Sequence, residues 1–373
     1  MHMIVRTALA AGFVACTLGG PAAQADDAVK LTVLSELDRF EPWEGHAFHA
    51  GHLWVGRSRQ DMAAFYRLEV YTPDGKLMLV KELAHSLRMI YPYGSASVIV
   101  VGLGTDQLSH YTIATLTAGR VDLSHTTIPL GALADKWAGV PGRHFFSDPG
   151  GFDDPEHPTP IGQPLQTLFA FDRSRTNWLK PRIAAPSLLA FARESLYIVS
   201  APTFLTGGKT LTKMNTATQT TTILLQGRND LRSILVLPKL NLMAMAESGA
   251  AQTLIIDLKT DAVVQTFPSP AGRPRALAAF GKCLAVATED TRQVQFFDLT
   301  ESARGPLAVW DLAPAGAHLY GIRSLAADPV SGRIYARSAY ACNPTSACSA
   351  ERNSVVMASP EGTSLAVTKC LGG

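Results

Sequence analysis

Seven apolar segments, each running into a turn rich in Asp, Asn, Thr, Ser or Gly and recurring roughly every forty residues, predict an all-β chain. With almost no helical periodicity between them, they read as a seven-bladed β-propeller of four-stranded blades in one domain over residues 26–373. The segments are LEVYTPDG (68–75), ATLTAGR (114–120), LFAFDRSR (168–175), LTKMNTAT (211–218), LIIDLKTD (254–261), QFFDLTES (295–302) and VVMASPEG (355–362). Thr72, Thr117, Asp172, Asn215, Asp257, Asp298 and Ser359 set the register, at spacings of 45, 55, 43, 42, 41 and 61.

The strand preceding each of these is legible too. GHLWVG (51–56), ASVIVVG (96–102), RHFFS (143–147), ESLYIVS (194–200), LNLMAMA (240–246), KCLAVA (282–287) and GRIYARS (332–338) are β-branched or aromatic-rich runs opened by tight polar turns. Blades are expected over residues 44–84, 85–130, 131–186, 187–227, 230–269, 273–312 and 320–370. The early strand LTVLSEL (31–37) is expected to pair with the last blade, because an open edge invites aggregation.

The first 25 residues read as a secretion signal rather than as structure. Arg6 supplies the positive end, TALAAGFVACTLGG the apolar stretch and Ala23-Gln24-Ala25 the cleavage site. Cleavage ahead of Asp26 predicts a periplasmic or secreted protein. Cys16 is an alternative point for lipid attachment, although Phe13 stands where such signals usually carry Leu. A formal charge of +2 on 373 residues shows neither a nucleic-acid footprint nor a polybasic membrane patch. No apolar run approaches the ~18 residues that a membrane-spanning helix needs.

Cys283, Cys342, Cys348 and Cys370 remain after cleavage, an even count that suits two disulfides with three connectivities open. Cys342 and Cys348 flank Asn-Pro-Thr-Ser-Ala and are expected to staple that loop. Cys283 and Cys370 would pair by elimination, although strand directions set them at opposite faces.

Blades three and seven are oversized. Their extra residues, SDPGGFDDPEHPTPIGQP (147–164) and AYACNPTSACSAERN (339–353), join second to third strands. Both insertions therefore emerge at the face where every innermost strand begins. Long loops on a rigid scaffold commonly carry function.

At that same face LRMI (87–90), LRSI (231–234), PRAL (274–277) and IRSL (322–325) set Arg88, Arg232, Arg275 and Arg323 at equivalent positions. His46 is expected to be their counterpart in blade one, tuning the site with pH, and Lys136 in blade three; Leu188 interrupts the series in blade four. Two roles fit these arginines. They can tie blades together or pair with carboxylates such as Asp230, Asp328 and Asp153. Alternatively, their planar forks can bind a carboxylate or phosphate at the mouth of a central channel.

Two metal candidates stand out. Asp148, Asp153, Asp154, Glu156 and His157, interleaved with Gly and Pro, suit oxygen-rich calcium coordination, but the D-x-D-x-D-G ladder is missing and a solvated acidic loop fits as well. His49 and His52 face each other if Ala50-Gly51 is a hairpin turn, a position that Cys283 takes in blade six. No cofactor is predicted beyond such a divalent cation. The chain lacks G-x-S-x-G, H-E-x-x-H and G-x-G-x-x-G motifs. Gly208-Lys209-Thr210 ends like a phosphate loop, but Thr203 stands in place of its first Gly.

An exported chain with seven such repeats and D-x-x-T/G-like strand ends resembles the bacterial periplasmic propellers of the YVTN and amine-dehydrogenase heavy-chain type. GRIYARSAYACNPTSACSAERNSVVMASPEG (332–362) is the stretch most similar to them. The resemblance implies a cofactor-free subunit that cradles a small catalytic partner. The chain departs from it in lacking a YVTN tetrapeptide. Its five Trp are aperiodic, unlike those of pyrroloquinoline-quinone propellers, its double glycines do not follow the kelch pattern, and the lone Trp310-Asp311 does not make a WD40 array. The expected function is therefore non-catalytic: a scaffold docking an anionic ligand or an acidic protein on the face with the basic ring. The alternatives are a funnel enzyme, such as a metal-dependent lactonase or lyase, and the heavy subunit of an amine-dehydrogenase-like complex.

Overall fold

A computed structural model describes residues 28–37, 45–59, 65–104, 109–127, 136–147, 168–172, 183, 186–200, 208–301, 305–319, 321–338, 353–362 and 364–371. The expected signal segment, the insertions after Ser147 and Ser338, and Cys342 and Cys348 lie outside them, as do Asp148, Asp153, Asp154, Glu156 and His157.

The described strands form seven antiparallel sheets. Strand β1 (Val29–Leu37) precedes the first of them. Sheet 1 runs β2 (His46–His49), β3 (His52–Arg59), β4 (Phe65–Tyr71) and β5 (Leu77–Glu82). Sheet 2 holds β6 (Met89–Tyr93), β7 (Ser97–Leu103), β8 (Ser109–Thr117) and β9 (Arg120–Thr127). Sheet 3 has three described strands, β10 (Lys136–Val140), β11 (Arg143–Ser147) and β12 (Leu168–Asp172). Sheet 4 comprises β13 (Pro186–Ala192), β14 (Ser195–Ser200), β15 (Lys209–Asn215) and β16 (Thr221–Arg228). Sheet 5 comprises β17 (Leu231–Leu237), β18 (Leu242–Glu247), β19 (Gln252–Asp257) and β20 (Val263–Pro268). Sheet 6 comprises β21 (Pro274–Phe280), β22 (Cys283–Thr288), β23 (Gln293–Asp298) and β24 (Ala308–Asp311). Sheet 7 holds β25 (Ile322–Ala327), β26 (Ile334–Ser338) and β27 (Asn353–Pro360), with β1 as its fourth strand.

The pairing of β1 with β27, from Val29 opposite Pro360 to Leu37 opposite Asn353, is the edge closure that the sequence predicts. Each first strand also packs beside the first strand of the next sheet, and β25 packs beside β2. Alternation along the strands supplies both faces of every blade. Leu284, Val286 and Phe297 pack toward sheet 5, whereas Ala285, Ala287 and Phe296 join Ile334, Ala336 and Val356 of sheet 7. No blade buries both faces alone, so the sheets are stable only as a set.

The register residues hold their turns for a local reason. Asp257 Oδ1 accepts the backbone N–H groups of Lys259 and Thr260 at 2.7 and 2.9 Å, and Asn215 Oδ1 those of Ala217 and Thr218 at 2.9 and 3.0 Å. Asp298 Oδ1 accepts from Thr300 N at 2.7 Å. A short carboxylate or amide that satisfies its own turn ends the strand at that point.

One expected element differs. Residues 361–370 were expected to complete blade seven, but Leu365–Leu371 is a short helix, α1. Since β1 fills the outer edge of sheet 7, the tail has no strand to pair with and stays at the hairpin end. That placement brings Cys370 to Cys283, and the two form a disulfide 87 residues apart. The pairing holds. The strand directions that would set the two cysteines at opposite faces do not apply, because Cys370 lies in α1 and not in a strand.

Gly281 sits in the β21–β22 turn at φ +59, where an added Cβ would lie 2.1 Å from the Cys370 carbonyl oxygen. Gly119, at φ +78, has nothing within 4 Å of such a Cβ. Gly119→Ala is expected to lose about 1 kcal/mol, from backbone conformation alone. Gly281→Ala must also displace α1, so its drop in melting temperature, followed by circular dichroism, is expected to exceed that of Gly119→Ala several-fold. Equal drops would mean that α1 does not press on this turn.

Candidate functional site

A cavity of about 680 Å3 opens among the first strands of sheets 1, 2, 4, 5, 6 and 7. It runs the length of β17, from Arg232 to Leu240 beyond the far end of the strand. Arg275 and Arg323 line the same mouth as Arg232, and Arg88 is not among the lining residues.

A shared irregularity positions these arginines. In β17 the register slips between Leu231 and Ser233, in β21 between Pro274 and Ala276, and in β25 between Ile322 and Ser324. Arg232, Arg275 and Arg323 are thus the extra residue of the same β-bulge in three consecutive sheets. Bulges re-aim a side chain and recur beside functional sites. Arg88 stands at the matching place just before β6, its N–H donating to Val101 O at 2.8 Å. In sheet 4 the bulge lies between Pro186 and Leu188, so Ser187 takes the position expected for Leu188.

Two expected members of the series are displaced. Lys136 pairs with Ser147 as Ala276 pairs with Ala287, one residue nearer the hairpin than the bulge. His46 pairs with Val55 as Leu277 pairs with Val286, two residues nearer. His46 is buried and joins the first and last sheets. Its Nε2–H donates to Tyr335 O at 3.1 Å, and its Nδ1 accepts from Ser324 Oγ at 3.0 Å. Burial, aided by the Arg337 charge, lowers its pKa to about 4. His46 therefore ties two sheets together while lining the cavity, and burial favours its neutral form.

Carboxylates temper the arginines, as one of the two expected roles requires. Asp230 accepts from Arg232 Nε at 2.5 Å and lies 3.6 Å from Lys209 Nζ. Arg275 Nη1 is 3.9 Å from Glu289, and Arg273 binds Asp290 through two hydrogen bonds of 2.8 and 2.6 Å. Asp328, the other expected partner within the described residues, instead closes its own turn through Val330 N and Ser331 Oγ. Lys209 is marked in the sequence only by an incomplete phosphate loop. It stands beside the mouth without lining the cavity, its Nζ donating to Leu231 O at 2.6 Å, and burial lowers its pKa.

His49 and His52 do face each other across the Ala50-Gly51 turn, and His52 Nδ1 bonds to Ala50 O at 2.8 Å. Among the described residues no group of three or more His, Cys, Asp or Glu side chains is arranged to hold a metal. Sequence reading missed a histidine stack in sheet 2. His85, His110 and His125 lie with ring centroids 4.8–5.8 Å apart, and Thr112 Oγ1 bridges His85 Nε2 at 2.8 Å and His125 Nδ1 at 3.1 Å. His85 lies ahead of β6, in an isolated bridge to Gly104, while His110 and His125 lie in β8 and β9, so no spacing in the sequence announces them.

With the sheets and cavity in place, the backbone arrangement can be compared with solved structures. The WD40 β-propeller domain of Doa1 superposes with a TM-score of 0.55 at 12% identity, covering 87% of this chain and 96% of that one. The fold is a WD40-like β-propeller. The likeness lies in the path of the backbone, because the chain carries no WD40 sequence repeat. No protein-family model and no curated protein matches the sequence. No described helix is long and apolar enough to cross a membrane.

Proposed function

We propose that this protein is an exported, non-catalytic binding propeller with seven blades closed into a ring. It docks an anionic ligand or an acidic protein partner at the face where its inner strands begin. The observation that carries this reading is the repeated bulge, which sets Arg232, Arg275 and Arg323 around one mouth of the cavity. Guanidinium groups converging on a concave, partly desolvated mouth focus positive potential even on a chain of low net charge. The Cys283–Cys370 disulfide is in keeping with an oxidising compartment. Within this reading the chain resembles periplasmic propellers of the YVTN and amine-dehydrogenase heavy-chain type, the latter a cofactor-free subunit that cradles a small partner.

The test is fluorescence anisotropy with a labelled Glu-rich peptide at low salt, on the wild type and on the Arg232→Ala/Arg275→Ala double variant. Binding to the wild type is expected to weaken about tenfold or more in the variant, with a melting temperature changed by only a few degrees. A large thermal loss with unchanged peptide affinity would make the arginines structural ties and overturn the reading.

A further inference from the structure

We propose that the cavity itself holds an amphipathic monoanion, a carboxylate head at the arginine mouth and a hydrocarbon body along the inner strands. This rests on the anion-docking reading above and narrows it to a ligand class.

The walls argue for the hydrocarbon body. Leu188, Ile234, Leu235, Val236 and Leu325 line the cavity and are only half-buried by the protein around them. Apolar side chains left partly uncovered inside a concavity of this size are the usual lining of a small-molecule site. A sugar or nucleotide would have to give up its hydration to such a wall without hydrogen bonds in return.

The mouth argues for the head group. Arg232 engages Asp230 through Nε, its side chain is 38% exposed, and its Nη groups have no hydrogen-bond partner among the described residues. The end of the guanidinium fork is the part that grips a carboxylate in bidentate fashion. Asp230 and Glu289 already offset part of the charge of Arg232, Lys209 and Arg275. With Arg323 the mouth keeps more positive than negative charge, enough to hold a carboxylate head, whereas a polyphosphate would also meet Asp230 and Glu289.

The geometry gives the ligand a direction. The charged residues stand where the inner strands begin, and the cavity ends at the hairpins, where Ala279 is exposed on its wall. The tail would therefore run from the arginines toward Ala279.

Isothermal titration of the full chain with butyrate, octanoate, dodecanoate below its micelle concentration, and dodecanol tests this. Affinity is expected to rise by about fourfold per methylene along the carboxylates. Dodecanol, lacking the charge, is expected to bind about tenfold more weakly than dodecanoate. Arg232→Ala should weaken dodecanoate and leave dodecanol unchanged. Ala279→Trp, at an exposed position that tolerates bulk, should weaken dodecanoate and leave butyrate unchanged, with melting curves confirming both folds. A flat carboxylate series, or dodecanol equal to dodecanoate, overturns the proposal. A flat series beside intact, arginine-dependent peptide binding removes only the amphipathic ligand. Loss of both signals removes the docking reading with it.

Discussion

Acidification from pH 6.5 toward 4 is expected to strip several kcal/mol from the stability of this protein, through its buried histidines. His46, His85 and His144 have their pKa values lowered from 6.5 to about 4, in each case mainly by burial. A histidine held neutral in the fold contributes stability that is complete above its unfolded pKa. In the window between the two pKa values the unfolded chain binds the proton and the native one does not, so stability falls as pH falls. Below about 4 both states are protonated and the loss stops. Each of the three is worth roughly 3 kcal/mol across that window, as an upper bound.

Their surroundings explain the cost of charging them. His46 faces Arg337, and His85 faces His110 and His125, all repelling a further positive charge. His144 packs among Tyr93, Tyr111 and Phe146 and accepts a hydrogen bond from Trp137 Nε1 at 3.3 Å. Asp257 and Asp290 do not confuse the measurement. Their pKa values are lowered below 3.8, by the backbone N–H groups of Thr260 and Lys259 and by Arg273 respectively, so they respond only in stronger acid. Urea midpoints at half-unit steps from pH 7 to 4.5 should fall throughout, and His144→Phe should flatten part of that slope. A midpoint constant across the range would show that these rings are not held neutral.

Opening the Cys283–Cys370 disulfide is the second large effect expected. The cystine closes a separation of 87 residues, for which the chain-entropy relation gives about 4.6 kcal/mol of constraint on the unfolded state. Its loss should also free α1, whose Cys370 O accepts from Lys282 N at 3.0 Å and whose Cys370 packs in the core between sheets 6 and 7. Cys370→Ala is expected to lower the urea midpoint by an amount equivalent to about 4 kcal/mol. Because both half-cystines are buried, a reductant should act on the wild type slowly, through opening of the tail. Identical midpoints for the wild type and Cys370→Ala, with the wild-type bond confirmed by mass spectrometry, would refute the constraint.

The blades were legible because each strand pair carries its own local signals: alternating or β-branched runs, and a turn residue such as Asp257 or Asn215 that satisfies its own backbone. Those interactions span three or four residues, so the sequence alone set the number, order and approximate bounds of the sheets, and even the pairing of the early strand with the last blade. The arginine series was legible for the same reason, since Arg232, Arg275 and Arg323 occupy one place in a repeated strand.

Other features depended on residues far apart in the chain. His46 lay in a plausible local frame, yet counting from the hairpin moved it two positions off the bulge, to a buried contact with Ser324 and Tyr335. The meeting of Cys283 and Cys370 required β1 to take the outer edge of sheet 7, which left the tail to coil into α1 at the hairpin end. The stacked histidines of sheet 2 and the apolar cavity are assembled from side chains contributed by different segments of the chain. Strand pattern and turn chemistry are written within a few residues. Burial, and with it the charge state of a histidine or the access to a disulfide, exists only once the sheets have packed.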